Sequence, residues 1–252
     1  MSLALEIEET CVTPEEWEEL GESFDSGVSE RIEGRPHEVC QEVANKPLGY
    51  RIAKRFFDVV FSLAAIMVGL VPGLILSILI AIDTKGSPIY SQDRVGQKGV
   101  FRIYKFRTMV ADSDDVEKYL SAEQLFQWHR ERKVDGDPRI TSLGRFLRKT
   151  SLDETANFIN VLKGDMSVVG PRAITQDELE QHFSPEEQRE LLSVPCGITG
   201  WWQVNERNGA DFESGRRQAI EMEYVRNASL ATDAWVFAKT FVVMFGKERS
   251  GK

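Results

Sequence analysis

Twenty-four consecutive residues, Val59 to Ile82, carry no charge. As one unbroken helix this run would be ~36 Å long, against ~30 Å for the hydrocarbon core of a bilayer. A helix spanning the membrane is therefore one reading. Pro72 stands almost at the middle of the run, followed by Gly73. Proline removes a backbone donor and crowds the preceding turn, so a bend is expected there. The flanks are basic on both sides: Arg51, Lys54 and Arg55 before, and Lys85, Arg94, Lys98, Arg102, Lys105 and Arg107 after. A spanning helix normally shows its Lys/Arg excess on one side only. Basic residues at both ends suit a hairpin broken at Pro72, with two arms of ~12 residues, each ~18 Å long, that enter one leaflet and return.

Charge divides the chain a second way. The net charge is −9 over 252 residues. Residues 1–46 hold 13 acidic and 3 basic side chains, net −10, which leaves 28 basic and 27 acidic residues, net +1, for the rest. An acidic extension is thus joined to a nearly neutral body. No dominant basic field is present, which argues against nucleic acid as a partner. The acidic, interrupted start does not read as a secretory signal. Cys11, Cys40 and Cys196 are odd in number and far apart, so neither a disulfide framework nor a zinc site is expected.

The remainder reads as short elements. Thr13-Pro14-Glu15-Glu16 starts a short acidic helix, followed by a Gly/Ser/Glu-rich, flexible stretch. Residues 100–107 alternate as a strand, with Lys105 and Arg107 on one face. Residues 112–132 form a charged amphipathic helix, and Leu143 to Lys149 a shorter one. Ser151 opens a further helix, which Gly164 ends. Capping boxes stand at Thr175/Glu178 and Ser184/Glu187. The last twenty or so residues are rich in Trp, Phe and Val and end in Lys247 and Arg249. They read equally as an interfacial helix or as a helix packed on the core.

Chemistry concentrates between Arg139 and Arg172. Ser151-Leu152-Asp153-Glu154 has the spacing of a capping box, so Glu154 has a structural explanation. Asp153 has one too, because a carboxylate in a first turn is favoured by the helix dipole. The functional reading rests on the neighbours. Arg145 and Arg148 precede the pair, and Gly170-Pro171-Arg172 places another arginine after a rigid turn. Arginines can neutralise phosphate oxygens while a carboxylate attacks phosphorus. Adjacent acids also suit a divalent metal.

The sequence resembles the bacterial sugar transferase family, the monotopic phosphoglycosyl transferases. The resemblance covers roughly residues 50–246. It is carried in order by Lys54-Arg55-Phe56-Phe57-Asp58, Gln92-Asp93-Arg94-Val95-Gly96, Lys105-Phe106-Arg107-Thr108-Met109 and Asp137-Pro138-Arg139-Ile140-Thr141. Ser151-Leu152-Asp153-Glu154, Asn160-Val161-Leu162-Lys163-Gly164-Asp165-Met166-Ser167, Val169-Gly170-Pro171-Arg172, Gly197-Ile198-Thr199-Gly200-Trp201 and Gln203-Val204-Asn205 follow. The resemblance implies transfer of a sugar-1-phosphate from a UDP-sugar to undecaprenyl phosphate, with Mg²⁺ and release of UMP. It makes Asp153 the nucleophile of a ping-pong scheme and Glu154 its partner in proton transfer or metal positioning. Arg148 and Arg172 would hold phosphate oxygens, and Lys105 and Arg107 would add charge near the nucleotide. The length of the 112–132 region is similar to that of members priming exopolysaccharide or O-antigen synthesis with galactose- or glucose-1-phosphate.

Departures from the family pattern fall in loops near the donor: Val194-Pro195-Cys196-Gly197 in place of a basic residue and proline before glycine, Ala173 after Arg172, and Glu206 before Arg207. They put the sugar specificity in doubt. Cys196 reads as a tolerated loop substitution rather than a catalytic thiol.

The expected fold is a helix-rich α+β monotopic membrane protein with a proline-broken re-entrant helical hairpin and interfacial amphipathic helices. Residues 1–46 form the acidic extension, 47–85 the juxtamembrane and re-entrant segment, and 86–252 the cytosolic catalytic domain. The expected site is the cytoplasmic face of a bacterial inner membrane, with both termini cytoplasmic. A homodimer is compatible with the sequence, and the acidic extension suits a regulatory or partner-binding role. The rival function is a catalytically silent membrane scaffold that recruits partners through that extension.

Overall fold

The computed structural model describes residues 46–131, 134, 136–205, 212 and 215–245. All of them lie in one compact unit, Glu42–Lys252. The expectations for the acidic extension, Lys46 apart, fall outside the described residues, as do those for Glu206, Arg207, Lys247 and Arg249. The described part is a helix-rich α+β body with one long apolar helix, and its strand content is small.

Helix α1 (Leu48–Thr84) is 37 residues long and continues through Pro72 without interruption. The sequence reading of two arms separated by a break is therefore not seen as a gap in the helix. It is the one helix among the described residues long and apolar enough to cross a membrane, with a mean hydropathy of 2.7 in its most apolar window and 6% of that window buried. Its two ends are seated on the body, and its middle is not. Near the start, Lys54 Nζ donates to the Val169 carbonyl (2.7 Å) and pairs with Asp233 (2.8 Å). Asp58 accepts from Ser167 Oγ (3.0 Å) and from the Val168 N–H (2.9 Å). Near the end, Ile80 and Thr84 are buried, and the Thr84 carbonyl accepts the Ala111 N–H. Between them, residues 67–72 are exposed on every side of the helix. That stretch is longer than one turn, so no face of it is covered.

Strands β1 (Ile89–Gly96) and β2 (Gly99–Phe106) form an antiparallel hairpin. The segment expected to be one helix over 112–132 is two, α2 (Val116–Tyr119) and α3 (Ala122–Glu131). Leu120 is extended and buried between them. Ser121 Oγ accepts the Gln124 N–H while Gln124 Oε1 accepts the Ser121 N–H. This reciprocal cap starts a new helix where periodicity alone implied continuation. Helix α4 (Ser142–Thr150) follows, capped by Thr141. A 3-10 helix (Leu152–Asn157) and α5 (Phe158–Lys163) come next, and α5 ends at Gly164 with φ 82° as expected.

Strand β3 (Ser167–Val169) pairs in parallel with β4 (Gly197–Thr199). A Cβ at Gly170 would lie 2.3 Å from the Pro195 carbonyl oxygen, and one at Gly197 2.1 Å from the Gly170 nitrogen. Glycine at both positions lets the two backbones meet where the Gly-Pro-Arg turn leaves the strand. Between these strands, α6 (Gln176–His182) and α7 (Pro185–Leu191) each begin with the anticipated capping box.

Helices α8 (Trp201–Asn205), α9 (Arg216–Asn227) and α10 (Leu230–Phe245) complete the body. Helix α10 packs on the core, as one reading of the C-terminal segment had it, and keeps some apolar residues exposed. Val236 is fully buried and Phe237 stacks edge-on against Phe61 of α1 (4.9 Å), whereas Trp235, Phe241 and Val242 are exposed. One face therefore packs on the core and another presents apolar surface.

Candidate active site

Asp153 and Glu154 stand in the first turn of the 3-10 helix. The local backbone departs from the sequence expectation. Ser151 stands at the N-cap position as expected, but with φ 56°, in the left-handed region; it also closes α4, and its side chain makes no capping bond. One residue thus stops one helix and turns the chain directly into the next. Glu154 has no capping box to complete. Its Oε1 instead accepts Lys105 Nζ of β2 at 2.7 Å.

Two side chains set this contact. Asn160, fully buried in α5, donates Nδ2–H to the Arg102 carbonyl (2.7 Å) and accepts the Tyr104 N–H on Oδ1 (3.1 Å). It locks β2 against the dyad-bearing segment, one residue from Lys105. On the other side, a Cβ at Gly144 would lie 2.0 Å from the Thr108 carbonyl oxygen. That close crossing brings Thr108 Oγ1 to 2.9 Å from Arg148 Nε, which donates to it. Arg148 is thus fixed through Nε, and its charge acts on Asp153.

The electrostatics of the pair are unequal. Burial, reinforced by the Glu154 charge, pushes Asp153 up to about 6, against the pull of Lys105 and Arg148. Two neighbouring carboxylates in one partly dry site resist carrying two negative charges. At neutral pH about nine-tenths of Asp153 is still ionised and able to act as a nucleophile. Among the described residues no group of three or more His, Cys, Asp or Glu side chains forms a metal site. Asp153 and Glu154 nevertheless fit Mg²⁺, which is held by one or two carboxylates together with substrate phosphate oxygens.

Glu154, Lys105, Asn157, Arg94, Arg172 and Gln203 line one small cleft. The structure therefore brings together Asp153, Glu154, Lys105 and Arg148 and places Arg172 in the wall of the cleft that Glu154 and Lys105 share. Arg107 does not join them, although it was expected to share a face with Lys105. Strand β2 ends at Phe106, and beyond it Arg107 Nε donates to the Ser87 carbonyl (2.8 Å), with its guanidinium beside the Tyr90 ring. Arg145 is also turned away, onto the Ile140 carbonyl and Ser142. Arg139 is structural, held by Asp137 in a buried two-point pair (2.9 and 2.6 Å). Arg94, Asn157 and Gln203 were not anticipated as site residues. For Arg94 and Gln203 a signal existed, since each lies in a quoted family motif; for Asn157 none did. Ala173, one of the departures, lines the cleft. Cys196 is buried and its thiol is pushed up to about 12 by that burial, so no thiolate is available for chemistry.

The family model for bacterial sugar transferases matches residues 49–247. The undecaprenyl-phosphate galactose phosphotransferase of Salmonella typhimurium is 40% identical over 203 residues, 79% of this chain and 41% of the relative. The galactosyl transferase CpsE of Streptococcus agalactiae is 41% identical over 200 residues, 77% of this chain and 43% of the relative. The exopolysaccharide production protein ExoY of Rhizobium meliloti is 38% identical over 201 residues, 78% of this chain and 87% of the relative. The chain thus spans about two fifths of the length of the two galactose-type relatives and matches most of ExoY.

Proposed function

The chain belongs to the bacterial sugar transferase family, and from that premise we propose that it moves a sugar-1-phosphate from a UDP-sugar to undecaprenyl phosphate, releasing UMP. The observation that carries this reading is the Asp153–Glu154 pair, with Lys105 bonded to Glu154 and the charges of Lys105 and Arg148 acting on Asp153, beside a cleft lined by further cations. In the first step a carboxylate oxygen of Asp153 attacks the phosphorus that bears the sugar. The bond from that phosphorus to the bridging oxygen breaks, and UMP leaves with the electron pair. In the second step a phosphate oxygen of the lipid attacks the same phosphorus. The bond from phosphorus to the Asp153 carboxylate oxygen, an acyl-phosphate linkage, breaks, and the free carboxylate and a polyprenyl diphosphate sugar result.

Arg148 and Arg172 neutralise phosphate oxygens, which lowers the repulsion an anionic nucleophile meets. Lys105 holds Glu154 in place and restrains the charge of the pair. A magnesium ion bound by Asp153, Glu154 and the substrate phosphates would supply further charge neutralisation. A hexose is the expected sugar, and the names of the galactose-type relatives favour galactose.

The membrane arrangement that suits this reaction is re-entrant. Both ends of α1 are seated on the same body, through Asp58 and Lys54 at one end and Thr84 at the other. A spanning helix would separate those ends by ~30 Å of hydrocarbon. The uncovered stretch at residues 67–72, around Pro72, then enters the leaflet, and the apolar face of α10 lies along the surface. This keeps the dyad at the depth of a lipid phosphate on the cytoplasmic side of the inner membrane.

The test is UMP release by the detergent-solubilised protein from a panel of UDP-sugars, with undecaprenyl phosphate and Mg²⁺. Wild type releases UMP from at least one donor and Asp153→Asn from none. No release from any donor overturns the reading.

A further inference from the structure

The cleft wall and the Trp202 ring gather more positive charge, and more unpartnered polar atoms, than the fold requires. Arg94 donates through Nη1 to Glu178 (3.1 Å) and through Nη2 to Gln92 (2.8 Å), while its Nε is buried without a partner among the described residues. The guanidinium carbons of Arg172 and Arg217 lie 5.4 and 4.5 Å from the centre of the same Trp202 ring. Arg217 is also stacked on Phe212 at 4.0 Å, and its Nε and Nη2 are likewise buried and unpartnered. Burial and the charge of Arg172 pull Arg217 down to about 10.

The opposing carboxylates among the described residues do not balance these three cations. Glu178 already accepts the Thr175 N–H that starts α6 (2.8 Å). Glu221, wholly enclosed, is pushed up to about 7 by burial and so carries only part of a charge at neutral pH. Two acceptors are orphaned in the cleft wall: Oδ1 of Asn157, a residue only 2% exposed, and Oε1 of Gln203. Buried polar groups are normally satisfied, and those that are not need a reason. Three cations set against fewer full negative charges, beside acceptors that lack donors, describe a ligand with a negative group and with O–H or N–H groups.

We propose that Arg94 and Arg172, backed by Arg217, form a second anion subsite that takes the phosphate of the departing nucleoside monophosphate. The inference rests on the reading above that the donor is a nucleoside diphosphate sugar. Such a donor has two phosphates. The one bearing the sugar sits at Asp153, and the other, joined to it through the bridging oxygen, falls to the arginines that line the same cleft as Glu154. Negative charge grows on that second phosphate as the bridging bond breaks, and fixed guanidinium donors stabilise it there. Asn157 Oδ1 and Gln203 Oε1 accept from hydroxyl or N–H groups of the nucleoside.

The test uses the full chain in detergent, with UMP as the probe. UMP binds wild type at least about tenfold more tightly than uridine, which lacks the phosphate, and Arg94→Gln weakens UMP binding about tenfold to a hundredfold. The product-inhibition constant for UMP rises in parallel. Glu178→Gln removes the ion-pair partner of Arg94 without touching Arg94, and it keeps or tightens UMP binding. Equal affinity for UMP and uridine overturns the proposal without any variant. It also fails if Arg94→Gln binds UMP normally, or if Glu178→Gln reproduces the loss, which marks Arg94 as merely structural. A wild type that turns over a UDP-sugar with no such dependence sinks the subsite and leaves the activity standing. UMP binding through Arg94 with no release from any donor does the reverse.

Discussion

Replacing Asp153 by asparagine removes the nucleophile and should make the protein more stable. The folded state holds the Asp153 carboxyl at about 6, against 3.8 when free. The native state therefore binds this proton more tightly than the unfolded chain does. Stability is lost as pH rises from about 4 through about 6, and the loss is complete above that range. The shift of about 2 pKa units corresponds to about 3 kcal/mol at neutral pH and to about 1 kcal/mol near pH 4.5. The pull of Lys105 and Arg148 is already contained in that net value. The asparagine side chain has the same shape as aspartate and no charge, so it avoids the whole cost. For a body of this size, 1 kcal/mol moves the melting temperature by roughly 2–4 °C, so Asp153→Asn melts about 6–12 °C higher near pH 7.5. The gain shrinks to a few degrees near pH 4.5. The assay is thermal unfolding in detergent, followed by tryptophan fluorescence across that pH range, with UMP release measured in parallel. A variant that is inactive but no more stable, or a gain that does not change with pH, refutes the argument. Either result means that Asp153 is not desolvated as the structure describes.

Other outcomes follow from the same geometry. Lys105→Met removes the cation that pulls Asp153 down, so the acid limb of the UMP-release profile moves above about 6; an unmoved limb denies that coupling. Asn160→Ala leaves the Tyr104 N–H and the Arg102 carbonyl unpaired and destabilises by about 2–4 kcal/mol in a denaturant titration, with UMP release falling as Lys105 loses its support. Cysteines introduced at Gly49 and Asp83, near the two ends of α1, are labelled by an impermeant thiol reagent from the same side of the membrane; labelling from opposite sides refutes re-entry. Deletion of residues 1–46 leaves UMP release largely intact, and its loss places part of the catalytic unit in that extension.

The apolar run, the order of motifs and the dyad were legible in the sequence because each depends on residue type at short spacing. The 24 uncharged residues make a helix long and apolar enough to cross a membrane however the rest of the chain packs. The capping boxes at Thr175 and Ser184 are closed by atoms three residues apart, so they too were readable. The 112–132 segment failed as one helix because its period continues across a Ser-x-x-Gln restart, and periodicity does not see caps. The capping box at Ser151 failed for a related reason. A left-handed residue joining two helices leaves no hydrophobic signature, and the same four residues spell a capping box.

What only the tertiary structure decided is which charges meet. Lys105 and Arg107 are two residues apart, yet Lys105 reaches Glu154 while Arg107 turns to Ser87, because the strand ends between them and Asn160 clamps one side alone. Arg94, Arg172 and Arg217 are scattered over more than a hundred residues and converge around one cleft and one indole ring. Sequence determines which groups a chain possesses and what each prefers locally. Burial and the paths of separate elements decide which are desolvated together, and that sets how far Asp153 resists its charge and how many cations are left to wait for an anion.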